Sequence, residues 1–195
     1  RRRTHEVAGN WKLVMDAFNE GYHIQRLHAD TIAPFFVEAG SVDDMLGPHQ
    51  RSALGRVDPA GDAPEDDLDA MCRGMTFAYQ LFPNANLIAS PDYLNLLVCQ
   101  PVSHAHTRVE DFMLIPAPPA DDRARGHWAR SFELIDGGVF AAEDFHAVAL
   151  QQQGLASGAI AHVELGGLES KLRAFADRVD AFVGDAAVPD PGARA

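Results

Sequence analysis

Strands gathered in mid-chain, with helical segments on both sides, predict an α+β fold for this chain of 195 residues. Two observations carry that prediction. Between residues 73 and 116, four short apolar or aromatic runs are separated by turn residues, the pattern of an antiparallel sheet built from hairpins. Before and after them, apolar residues recur at helical spacing. A hydrophobic share of 47% over this length is enough for one domain with a sizeable core.

Taken in order, residues 11–22 read as a helix, with Leu13, Ala17, Phe18 and Gly21 near one stripe and Lys12, Asp16, Asn19 and Glu20 on other faces. After His28, Pro34 disfavours helix at Ala33. Residues 47–68 are rich in Gly, Pro and Asp without a clear period. They read as a flexible loop, either a pocket lid or a solvated insertion. The strand candidates are residues 75–82, 85–90, 93–100 and 107–115, with turns at Pro83-Asn84, Pro91-Asp92 and residues 101–106. Residues 117–126 read as a break. Helices follow over residues 127–134, 141–153 and 168–182, the last with Leu172, Phe175, Val179 and Phe182 at helical spacing. Residues 1–183 then make the domain, and residues 184–195, small and Pro-containing, a disordered tail.

A net charge of −12 excludes nucleic acid as an expected partner, because a phosphate backbone is bound by concentrated Lys and Arg. The one basic cluster, Arg1-Arg2-Arg3, reads as a linker remnant. Cys72 and Cys99 have no metal-like spacing and read as reduced thiols, which points to a cytoplasmic setting. No apolar run of about 18 residues predicts a membrane-spanning helix, and no signal peptide is visible.

The most informative stretch holds Glu20, Tyr22-His23 and His28. Two imidazoles and a carboxylate on one face of Fe(II) leave the other face open for dioxygen and substrate, and a downstream acid is available at Glu143 or Asp144. The spacing poses a geometric demand. Residues five apart on a straight helix are separated by about 140° around its axis, so the helix must end between the two histidines or be locally unwound or overwound. His104 and His106 read instead as surface turn histidines.

Residues 10–28 resemble the start of the catalytic domain of Rieske-type ring-hydroxylating oxygenase large subunits. The match falls on Asn10, Trp11, Lys12, Asp16, Phe18, Glu20, Tyr22, His23 and His28. It departs at Ala17, where the family usually carries Asn. Further blocks are similar in order: Leu81-Phe82-Pro83-Asn84, residues 91–101, Glu143-Asp144-Phe145 with residues 151–158, and Glu169 with the helical run after it.

The resemblance implies a helix-grip fold (START/Bet v 1-like), a curved antiparallel sheet around a long C-terminal helix. It implies His23, His28 and Asp144 as ligands of a mononuclear Fe(II), Glu20 as a bridge to a cluster on a neighbouring subunit, and Asp16 as support behind the ligands. Phe18, Phe35, Phe36, Asn95, Leu96 and Val98 become candidates to line a substrate pocket. A Rieske [2Fe–2S] centre needs two Cys and two His, in C-x-H and C-x2-H pairs in this family. Neither Cys72 nor Cys99 has His at those offsets, so the cluster domain is expected before Arg1 and this chain is not expected to turn over alone. Electrons would come from NAD(P)H through a reductase, with or without a ferredoxin. The substrate would be an aromatic or other small organic molecule taking oxygen from O2. Large subunits would form a homotrimer, in some members with small subunits. The alternative reading is a non-catalytic helix-grip module that carries a hydrophobic molecule.

Overall fold

The computed structural model describes residues 1–38, 41–57 and 67–184. Strands β1 (Arg2–Val7), β2 (Val42–Leu46), β3 (His49–Gly55), β4 (Met75–Leu81), β5 (Ala85–Ala89), β6 (Leu94–Ser103) and β7 (His106–Leu114) form one antiparallel sheet. Their order is β1-β7-β6-β5-β4-β3-β2, so strands β2 to β7 pair in sequence order and the N-terminal strand closes the far edge.

The four predicted strands are present, but three expectations are corrected. Arg1-Arg2-Arg3 is no linker remnant. Arg2 and Arg3 begin β1, opposite Phe112 and Asp111 of β7, and their guanidiniums pair with Glu110, Glu133 and Asp136. Nor are residues 47–55 a loop: Gly47, at φ +62, turns β2 into β3. The inward side chains of β3 are Gln50 and Ser52, so an apolar alternation that would betray a strand is missing. Residues 58–66, the rest of the proposed lid, lie outside the described residues. Finally, β6 runs through Pro101 instead of turning there. Proline cannot donate to a ladder, and the register slips between Pro101 and Ser103.

The helices are α1 (Trp11–Asp16), α2 (Ile24–Leu27), α3 (Leu68–Arg73), α4 (Asp122–Phe132), α5 (Phe145–Ala156) and α6 (Ser170–Val183). The first is shorter than expected and stops at Asp16. Between α4 and α5 the chain does not break but winds more widely through Glu133–Asp144, where the Phe145 N–H reaches back five residues to the Phe140 carbonyl. The two helices expected at residues 127–134 and 141–153 are therefore one continuous helical stretch. It starts inside the expected break, where the Asp121 carboxylate accepts the Ala124 N–H at 2.7 Å. Gly184 closes α6, and residues 185–195, most of the expected tail, lie outside the described residues. Among the described residues no helix is long and apolar enough to cross a membrane.

The core lies between one face of the sheet and helices α1, α5 and α6. Leu97, Cys99 and Val109 from β6 and β7 meet Val14 and Met15 of α1, Val148 of α5 and Phe175 of α6. Trp11 and Phe82 pack edge-on against Phe175. A Cβ on Gly9 would sit 2.5 Å from Val148 Cγ1, so the link from β1 to α1 passes this close to α5 only as glycine. Beside the apolar core lies a buried polar set. Asp136 accepts from Arg3 and lies 2.7 Å from His5 Nε2, and Asn95 donates to Asp111. Burial pushes the Asp111 carboxyl up, and the charge of Asp136 adds to the rise.

Candidate metal centre

The helix expected over residues 11–22 is interrupted before it reaches the two histidines. Asn10 caps α1 through the Lys12 N–H, and after Asp16 the chain tightens, with Phe18 and Asn19 N–H groups bonded to Met15 and Asp16 carbonyls. Gly21 lets this turn approach β3: a Cβ there would lie 2.8 Å from Leu54 Cδ2. The single turn α2 then separates His23 from His28, and their rings stand 5.1 Å apart at 72°. Neither alternative is realised. The helix ends before His23, and a regular turn runs between the two histidines, with the Leu27 N–H bonded to the His23 carbonyl and the His28 N–H to the Ile24 carbonyl. Only His28 itself leaves helical geometry, at φ −102.

Asp144 comes from the widely wound stretch that enters α5. It lies inside a continuous helical run. Its Oδ1 lies 3.2 Å from His28 Nε2 and 3.8 Å from His23 Nε2, and one donor atom from each of the three residues falls within 4.8 Å of the others. The opposite ring nitrogens are held by other acids. His23 Nδ1 meets Glu20 Oε1, while Glu20 Oε2 accepts the His23 backbone N–H. His28 Nδ1 lies 2.7 Å from Glu143 Oε2, which also accepts the Thr31 hydroxyl at 2.8 Å. Glu143 and Asp144 thus take opposite edges of one imidazole, and Glu143 is not the acid aimed at the shared point. Burial alone would lower the His28 pKa, but Asp144 and Glu143 outweigh it and the net direction is upward.

One observation tests whether a metal suits these residues. Among the described residues, Asp144 Oδ1 is buried and has no well-aligned hydrogen-bond partner. A buried carboxylate oxygen left unsatisfied is costly, and it faces two imidazole edges whose far nitrogens are already committed to carboxylates. Atoms that share one ion about 2.1 Å away stand no more than about 4.2 Å apart, and both measured pairs fall inside that bound. A small cation with nitrogen and oxygen ligands fits.

The other expected residues divide. Phe18 and Phe36 line a space of about 80 Å³ together with the three ligand candidates and Glu20. Phe35, Phe36 and Asn95 line an adjoining cavity of about 290 Å³. Leu96 and Val98 do not: strand alternation places Asn95, Leu97 and Cys99 on the core face and these two on the other. Asp16 does not reach the ligands either. Because α1 ends at this residue, its carboxylate stays beside Lys12 and lines a separate cavity of about 430 Å³ between α1, α5 and α6. That cavity is larger but touches none of the ligand candidates. Burial lifts the Asp16 carboxyl to about 7 against the pull of Asn19 and Lys12.

Sequence reasoning missed the pairing of Glu143 with Thr31, and it missed Arg56, which enters the 290 Å³ cavity from just beyond β3. It also missed the tie from Tyr22, whose hydroxyl donates to Glu169 at 2.7 Å. The adjacent acids Glu143-Asp144 were the only signal for the first.

The model of the ring hydroxylating alpha subunit (catalytic domain) family matches residues 1–185. No curated protein matches the chain by sequence. Among solved structures, the quaternary ammonium Rieske monooxygenase CntA in complex with an inhibitor superposes with a TM-score of 0.71 at 15% identity, covering 92% of this chain and 48% of that one. Naphthalene 1,2-dioxygenase from Rhodococcus sp., bound to indole, gives 0.63 at 16%, covering 91% and 54%. Dicamba monooxygenase bound to 3,6-dichlorosalicylic acid gives 0.61 at 11%, covering 92% and 58%. The chain thus spans about half the length of the solved structures it matches. At these identities the likeness shows the fold: a curved antiparallel sheet gripping a long helix, as the sequence predicted.

Proposed function

The chain belongs to the ring-hydroxylating alpha-subunit family, as its catalytic domain, and on that premise we propose that it is the oxidoreductase part of a Rieske non-haem iron oxygenase. His23, His28 and Asp144 hold one Fe(II). The bound ion supplies dioxygen activation, for which two histidines and one carboxylate leave open positions. The observation that carries this reading is the unpartnered Asp144 Oδ1, buried and facing two imidazoles anchored from behind.

The residues around the ligands have separable tasks. Glu20 and Glu143 hold the Nδ1 edges, which fixes the tautomer and turns each Nε2 toward the ion. Thr31 steadies Glu143. Phe18, Phe36 and Phe140 keep the open side apolar and exclude bulk water from a bound substrate. Glu20 keeps some exposure at the edge of the site, which suits its further role as the link to a [2Fe–2S] cluster on a neighbouring subunit. Electrons from NAD(P)H, passed by a reductase, reach that cluster first. The subunits assemble as a trimer.

Metal analysis separates this reading from a non-catalytic carrier. Reconstituted anaerobically with ferrous salt, the chain is expected to retain about one iron per chain, and His28→Ala and Asp144→Ala to lose it. Equal iron in both variants and the parent would remove the basis of the proposal.

A further inference from the structure

The 290 Å³ cavity beside the proposed iron centre shares Ile32, Phe36, Thr76, Ile88, Val139 and Phe140 with the smaller space around the ligands. It is the antechamber of the site. Its volume lies near the lower end for small-molecule pockets, which suits one ring rather than several.

One guanidinium enters this mostly apolar chamber. Arg56 is half-buried. Its Nη1 donates to Thr76 Oγ1 at 3.2 Å, and its guanidinium carbon lies 5.3 Å from the centre of the Phe36 ring and 5.9 Å from that of Phe35. Among the described residues no carboxylate lies within ion-pair distance of it. The acid that lines the chamber, Asp92, is engaged by His127 at 2.6 Å. Against the described residues, Arg56 therefore keeps most of its five donors for something else. On the wall, Asn95 is fully buried. Its Nδ2 is tied to Asp111, and its Oδ1 has no partner.

A chain of net charge −12 repels anions at long range. A lone guanidinium set among aromatic walls reverses that locally, because Coulomb attraction strengthens as water is excluded and the planar fork matches a carboxylate. We propose that the antechamber takes a single-ring carboxylate. The carboxylate seats on Arg56, the ring lies among Phe36, Ile88 and Phe140, and a donor substituent on the ring satisfies Asn95 Oδ1. Arg56 is then the residue that sets charge specificity. That the ring points toward an iron rests on the function proposed above, whereas the binding step does not need the metal.

The test is calorimetric titration of the whole chain with benzoate and with its neutral isostere benzamide, both metal-free and iron-loaded. The parent is expected to bind benzoate about tenfold more tightly than benzamide. Arg56→Gln is expected to erase that preference, and Arg56→Lys to keep part of it. Equal affinity for the two ligands in the parent, no binding of either, or a preference that survives Arg56→Gln overturns the proposal. The parent comparison is decisive even if a variant misfolds. A benzoate preference without iron uptake would sink the oxygenase reading and leave this one standing. Iron uptake without the preference would do the reverse.

Discussion

Glu143 is the residue whose removal says most about the centre. Its Oε2 serves two donors at once, His28 Nδ1 at 2.7 Å and Thr31 Oγ1 at 2.8 Å, in a half-buried position at the back of an imidazole that is 1% exposed. Without it the His28 ring is free to rotate and its tautomer is no longer imposed, so Nε2 is poorer both as a base and in aim. Loss of such a partner costs about 10–100-fold in metal affinity, or about 1.4–2.7 kcal/mol. Glu143→Ala should therefore weaken Fe(II) binding by that factor, measured by competition with a chelator of known affinity. Glu143→Gln keeps an acceptor without the charge and should fall between parent and alanine. Thr31→Val, which removes the tether but not the acid, should cost less than either. An iron affinity within twofold of the parent in folded Glu143→Ala would refute the claim that His28 is held for a metal from behind.

Two further expectations concern stability. Asp16 is lifted by burial to about 7 from an ordinary 3.8, so the folded state holds a proton that the unfolded chain releases. The stabilising contribution is complete below about pH 4 and lost as pH rises through 7, up to about 4 kcal/mol. Asp16→Asn should flatten that part of a urea-denaturation series taken from pH 4 to 8, and an unchanged slope would show that Asp16 ionises normally. Gly9→Ala should destabilise by about 1–3 kcal/mol, since its Cβ would press on the stiff, buried Val148. A thermal midpoint equal to the parent's would mean that β1 and α5 can part without cost.

Legibility followed the kind of signal each element carries. Strands β4 to β7 show in the sequence because apolar runs alternate with turn residues. Strand β3 escapes because its buried face carries Gln50 and Ser52, and β1 because it opens on two arginines, Arg2 and Arg3, that pair with Glu110, Glu133 and Asp136 from distant parts of the chain. At the site, His23 and His28 stand out by motif, whereas Asp16 shares that motif yet is turned away by the end of α1. Leu96 and Val98 are apolar, but parity along β6 puts them on the face away from the core.

By itself the sequence determined the fold class, the family likeness and the three residues proposed to meet, because local periodicity and short motifs are written in neighbouring residues. Only the tertiary structure decided what surrounds them. It set Glu143 behind His28, left Asp144 Oδ1 without a partner, and carried Arg56 into the chamber beside the ligands. Those placements depend on how a helical stretch winds and how strands register across more than a hundred residues, and no spacing along the chain encodes either.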